Sequence, residues 1–154
     1  MKILDFTGKT ALITGAAGAI GKAVAQQLIE DGATVVMTDL KEEQVQAAAA
    51  ELGCVGKAAD VTNAEQVKQV VDFALATYGR IDILINVAGI VGQALVEDIT
   101  EEEWDNMFAV NCKGTFLFTK YVVPQMKANK YGKIINYSSK SGKTGSAIMS
   151  HYCA

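Results

Sequence analysis

The sequence predicts an α/β fold, a doubly wound parallel sheet with helices on both faces, and three observations carry that expectation. Short apolar runs alternate along the whole chain with stretches of helical apolar period, and no composition break or low-complexity linker separates them. The stretch Lys9 to Gly21, KTALITGAAGAIG, joins an apolar run to a helical one through glycines at 15, 18 and 21. Half of the 154 residues are hydrophobic (50%), a content that suits strands covered on both faces. The length suits one domain with a sizeable core.

The first strand is the run through Ala11, Leu12 and Ile13, and it ends at Thr14-Gly15. Glycines there permit positive φ and a close approach of ligand to backbone, and the N–H groups at the start of the next helix attract negative charge. The implied ligand is a dinucleotide whose pyrophosphate meets Gly15, Gly18, Ala19, Ile20 and Gly21. A P-loop is excluded, since Lys22 is followed by Ala23 and the glycine spacing is wrong. The first helix, with Ile20, Val24 and Leu28 in period, stops at Asp31-Gly32.

A second strand, Thr34 to Thr38, ends at Asp39, where an acid accepts hydrogen bonds from an adenosine ribose. Its charge would repel a 2′-phosphate and no Arg stands beside it, so NAD is favoured over NADP. A helix from about Lys41 to Leu52 follows, then a strand from Val55 to Ala59. Thr62 and Glu65 have capping-box spacing for a third helix carrying Val67, Val71, Ala74 and Tyr78, closed by Gly79.

The fourth strand, Ile81 to Ile85, runs into Asn86-Val87-Ala88-Gly89. Thr100 and Glu103 form a second capping box before a long helical stretch to about Ala128, with Pro124 expected to kink it. The fifth strand is Lys133 to Tyr137, leading to Ser138-Ser139 and a loop rich in Gly, Ser and Lys. Crossovers of this length imply right-handed connections and the order 3-2-1-4-5. Gly15, Asp39, Asp60, Asn86 and Ser139 then all come from the carboxyl ends of strands, where ligands bind in such sheets.

Charge and cysteines exclude other classes. A formal net charge of -3 leaves no basic field for nucleic acid or acidic membranes. Cys54, Cys112 and Cys153 are odd in number and form no CxxC pair, so neither a zinc site nor a disulfide framework is expected, and they read as small apolar residues of a reducing compartment. MKILDFTGK is too poor in apolar residues for a signal sequence, and no apolar run reaches 18 residues, so a cytoplasmic protein without a membrane span is expected.

Taken together, TGAAGAIG, Asp39, DVT at 60 to 62, NVAG at 86 to 89, Asn111 in VNCKG, Ser139 in INYSS and Tyr152 in YCA resemble the short-chain dehydrogenase/reductase family. The resemblance covers the entire chain, and Tyr152 follows Ser139 by 13 positions, the interval that family uses. It implies a Rossmann-like doubly wound parallel sheet and an NAD(H)-dependent interconversion of alcohol and carbonyl by hydride transfer. Tyr152 would be the general acid/base and Ser139 a hydrogen-bond partner of the same substrate oxygen, with Asn111 holding a relay water. Asp60 and Val61 would lie at the adenine, and Asn86, Ala88 and Gly89 would line the cofactor. A phenol with a pKa of about 10 needs a nearby cation to act as a base at neutral pH. In the family that cation is a lysine four residues on, which here would be position 156, beyond Ala154.

The resemblance therefore implies a single cofactor-binding domain over 1–154, incomplete at its C-terminal side relative to the family and turning over little substrate alone. A truncated, non-catalytic dinucleotide-binding or assembly module is the alternative from another class. A nucleotide-sugar epimerase-like enzyme is a third, because Gly15, Gly18 and Gly21 with Ala19 also fit the family's extended branch. The stretch Thr115 to Val123 is apolar on nearly all sides apart from Lys120, so burial against the sheet and against a second copy is expected. Family members commonly pair through this helix. Among the remaining residues, His151 beside Tyr152 is weighed as a shaper of the substrate site and read as incidental, and Trp104 with Phe108 is read as core. Lys140 and Lys143 are poor substitutes for the missing lysine, and Glu101 to Glu103 serve as favourable charge at a helix start.

Overall fold

A computed structural model describes residues 4–154; the reading of the N-terminus as no signal sequence falls partly on residues 1–3, which lie outside the described residues. Five parallel strands form the sheet: β1 (Thr10–Thr14), β2 (Thr34–Asp39), β3 (Val55–Ala58), β4 (Ile83–Asn86) and β5 (Lys133–Asn136). Their order is β3-β2-β1-β4-β5, as the crossover rules predict. The register sets Thr38, Thr14, Asn86 and Asn136 side by side at the carboxyl ends.

Alternate residues of β1 and β2 feed two cores, which is why these strands read as unbroken apolar runs. Ile13, Val35 and Met37 pack with Ala25 and Leu28 of α1 (Ala19–Glu30) and Val45 and Ala49 of α2 (Glu42–Leu52). On the other face, Leu12, Val36 and Leu84 pack with Val67, Val70 and Val71 of α3 (Ala64–Tyr78). Phe118 and Val122 of α5 (Thr115–Ala128) complete that second core. At the opposite end of the sheet the buried Asp82 carboxylate accepts the Thr10 N–H at 3.0 Å and pairs with Arg80.

Several local expectations change. The buried stripe of α1 is Gly21, Ala25 and Leu28, and Ile20 is 57% exposed because it starts the helix over the ligand side of the sheet. Asn63, not Thr62, caps α3, its Oδ1 accepting from the N–H groups of Glu65 and Gln66. Thr62 instead donates its hydroxyl to Asp60 at 2.7 Å. The long helical stretch is divided. After α4 (Glu101–Phe108), whose Thr100–Glu103 capping box forms as expected, a wider turn of helix spans Ala109–Gly114 before α5. Pro124 stands inside α5 without ending it. Trp104 is not core: it is 42% exposed and stacks on Phe108 with ring centroids 5.0 Å apart.

Two single-turn helices, α6 (Ser141–Thr144) and α7 (Ser150–Cys153), follow β5. All four residues of β5 are exposed, so the sheet edge beyond β4 presents Ile134 and Ile135 to solvent. No helix among the described residues is long and apolar enough to cross a membrane. Cys54, Cys112 and Cys153 are free thiols.

Candidate functional site

The three glycines of the first turn do different work. Gly15 has φ +61°, and a Cβ there would lie 2.8 Å from the backbone N and Cα of Ala88. Gly21 packs so tightly under the turn that a Cβ would overlap the Gly15 carbonyl and come within 2.7 Å of the Ala16 Cα. Gly18 meets nothing nearer than 3.4 Å, so its space is kept open rather than filled by protein. It is the N-cap of α1, which has no side-chain cap and no acid in its first turn. The first N–H groups of that helix are thus left for an outside acceptor, and the positive end of the helix favours an anion.

Asp39 is fixed at the end of β2 by its own neighbourhood. Its Oδ2 accepts the Ala17 N–H at 2.9 Å and its Oδ1 the Leu40 N–H at 2.8 Å, which ties the strand end to the glycine turn. Asp60 is held likewise, its Oδ1 accepting from the N–H and hydroxyl of Thr62. From β1, the Thr14 hydroxyl accepts the N–H groups of Val87 and Ala88, both at 3.1 Å, and so sets the path of the chain after β4. Gly15, Gly18, Ala19, Ile20, Gly21, Asp39, Asp60, Val61, Ala88 and Gly89 all line one cavity of about 500 Å³.

Asn86 departs from that set. It is buried between strands, its Nδ2 donating to Asn136 Oδ1 at 2.9 Å, and it lines neither this cavity nor its neighbour. As the last residue of β4 it points sideways into the polar row at the strand ends, and the turn that follows carries Ala88 and Gly89 to the cavity.

A second cavity, of about 530 Å³, contains Ser139, Tyr152 and Asn111. Ile20 and Val87 to Ile90 line both cavities, so that one wall separates and joins them. Asn111 holds the wall in place, Oδ1 accepting the Ile90 N–H at 2.8 Å and Nδ2 donating to the Ile90 carbonyl at 2.9 Å. The wider turn Ala109–Gly114 presents this amide to the loop. Ser139 Oγ accepts the Ser141 N–H at 3.1 Å, which orients it as β5 gives way to α6. Ser138 lines the same cavity, whereas Lys140 and Lys143 do not.

Sequence reasoning missed other lining residues, among them Leu40, Val91, Met107, Phe108, Cys112 and His151. Of these, the sequence reads Phe108 as core, Cys112 as a small apolar residue and His151 as incidental. Glu103 on α4 has its carboxyl held below the usual range, first by the Thr100 N–H and hydroxyl and last by the nearby His151. The arrangement offers an elongated ligand an anion-binding turn, a fixed carboxylate and, past a shared wall, a serine–tyrosine pair.

Comparison with known proteins bears on that arrangement. A family model described as short chain dehydrogenase matches residues 9–154. The 3-oxoacyl-(acyl-carrier-protein) reductase FabG of Thermotoga maritima is 41% identical over 152 residues, covering 96% of this chain and 62% of that protein. Sorbitol dehydrogenase of Cereibacter sphaeroides is 41% identical over 150 residues, covering 96% and 59%. The crystal structure of an NAD+-bound xylitol dehydrogenase superposes with a TM-score of 0.89 at 35% identity, covering 96% of this chain and 59% of that one. The chain thus spans about three fifths of the length of these relatives.

Proposed function

The chain belongs to the short-chain dehydrogenase family, and from that premise we propose that its paired cavities serve NAD(H)-dependent hydride transfer between an alcohol and a carbonyl. The observation that carries this is the shared wall at Val87 to Ile90, which sets the cavity holding Asp39 beside the one holding Ser139 and Tyr152. The N–H groups at Ala19 and Ile20, beside Gly18, would hold the pyrophosphate and the Asp39 carboxylate the adenosine ribose, with Asp60 and Val61 at the adenine. Bound nicotinamide supplies the hydride acceptor or donor. Tyr152 would take or give the proton at the substrate oxygen, Ser139 would hydrogen-bond that oxygen, and Asn111 would hold a relay water as well as the Ile90 backbone.

Relatives named for sorbitol and xylitol support a polyhydroxy alcohol as substrate class. Three free thiols support a reducing, cytoplasmic setting. Self-association through α5 is also proposed, supported by Phe116, which is 58% exposed on the face away from Phe118 and Val122.

Binding and turnover are tested separately, because the two cavities are proposed to carry one each. NADH fluorescence titration reads the first and NAD+ reduction with a panel of polyols the second. Asp39→Ala is expected to weaken NADH about tenfold or more, and equal affinity would remove Asp39 from the cofactor site. Where oxidation is seen, Tyr152→Phe is expected to slow it by about 10² or more with NADH affinity kept. A folded chain that binds NADH and oxidises none of the panel would favour the non-catalytic module.

A further inference from the structure

Two non-glycine residues among the described residues have positive φ, Lys130 at +51° and Ile148 at +55°. Lys130 stands where α5 ends: its N–H donates to the Lys127 carbonyl and that of Tyr131 to the Met126 carbonyl, an ordinary left-handed close of a helix. Ile148 ends no helix. Its branched Cβ crowds the backbone in this conformation, and the side chain is 50% exposed, so burial does little to offset the cost. Backbone strain of this kind persists only where surrounding contacts impose it.

Those contacts tie the segment before Tyr152 to the segment after β4. The Ile148 carbonyl accepts the Ala94 N–H at 2.8 Å. Beside it, Gln93 Nε2 donates to Met149 Sδ at 4.0 Å. His151 is 5% exposed, with its ring against Gly92, where a Cβ would overlap Nε2. Three successive residues of one loop, Gly92, Gln93 and Ala94, thus meet His151, Met149 and Ile148 of the other and form a clasp. The chain leaves the cavity at Ser139 and returns to it at Tyr152, and left-handed turns at Gly145 (φ +75°) and Ile148 lie on that return. Glycine adopts such a turn freely, whereas isoleucine does so only while the clasp holds.

We propose that Ile148 is a positioning residue for Tyr152: its left-handed backbone, gripped at the carbonyl by Ala94, sets the single turn of α7 so that the phenol shares a cavity with Ser139, which rests on the dehydrogenase reading of that cavity. The role belongs to the φ angle and not to the side chain. Proton transfer at one substrate oxygen needs the phenol held to within about 1 Å, and the turn four residues earlier fixes it.

Two substitutions separate backbone from side chain, because glycine accepts positive φ while proline, fixed at about −65°, forbids it. The chain labelled with 3-fluorotyrosine gives five 19F lines, one per tyrosine, and the line lost in Tyr152→Phe is that of Tyr152. Ile148→Pro is expected to shift or broaden the Tyr152 line and to leave those of Tyr78 on α3 and Tyr121 on α5 in place. Ile148→Gly is expected to keep the Tyr152 line where it stands. NADH affinity should stay within about twofold in both, since Asp39 and the glycine turn line the other cavity. If Ile148→Pro does not fold, Ala94→Pro, which removes the N–H that grips the Ile148 carbonyl, is expected to move the same line. A folded Ile148→Pro chain with its Tyr152 line unmoved would overturn the proposal. So would Ile148→Gly moving that line as far, since the side chain would then be what acts. Failure of the unsubstituted chain to bind NADH is read separately, by titration, and would take away the dehydrogenase reading and the proposal with it.

Discussion

At the scale of single residues, Gly15 takes a positive φ against Ala88, Gly18 borders open space and Gly21 is wedged under the turn. Spacing fixes where a turn falls; it does not say what each Cα faces. Because Gly21 sits under the Gly15 carbonyl while Gly18 borders open space, the two should fail differently. Gly21→Ala is expected to cost about 1–3 kcal/mol of stability through overpacking. Gly18→Ala, at an ordinary φ of -75°, should leave the unfolding midpoint nearly unchanged and weaken NADH about tenfold or more. Urea titration beside NADH titration of both variants separates the two effects, and equal destabilisation would refute the distinction. Asp82 went unnoticed because the run Ile81 to Ile85 reads as a buried apolar strand, and nothing in that pattern shows that its carboxylate bonds the Thr10 N–H and Arg80. Arg80→Met should therefore lower the urea unfolding midpoint, because it leaves the buried Asp82 carboxylate without its cation, and an unchanged midpoint would refute that role.

At the scale of elements, boundaries followed local chemistry wherever that chemistry had a single solution. The Thr100–Glu103 capping box is one such case, and the left-handed glycines Gly53 and Gly79 that close α2 and α3 are others. Where two residues compete, sequence cannot choose: Thr62 and Asn63 both suit an N-cap, and the Asp60 carboxylate decides by engaging Thr62. The widened turn Ala109–Gly114 left no trace in the apolar pattern because the residues on either side stay helical; its consequence is the placing of Asn111 against Ile90. The Glu103 carboxyl titrates below its ordinary 4.5, bound by the N–H and hydroxyl of Thr100. A lowered folded value contributes stability that is full above the ordinary value and is lost as pH falls through the folded one. Glu103→Gln should accordingly flatten the acid limb of the stability curve below about pH 4.5, measured by urea unfolding from neutral pH downward, and an unchanged limb would contradict the cap.

At the scale of the whole molecule, strand order was legible because parallel crossovers of one hand admit few arrangements, and the meeting of site residues followed from strand ends that share one edge. What the sequence pattern could not show was that two cavities share the wall from Val87 to Ile90, since that depends on Thr14 and Asn111 gripping a loop from opposite sides. A ligand seated along that wall should bind the folded chain alone, so NADH at 100 times its dissociation constant is expected to stabilise by about 2.7 kcal/mol. The most direct test is a fluorescence titration of NADH and of NADPH into the chain. Saturable one-site binding of NADH, with NADPH weaker by about tenfold or more through repulsion at Asp39, is the predicted result. A folded chain that shows no saturable NADH binding would contradict the account.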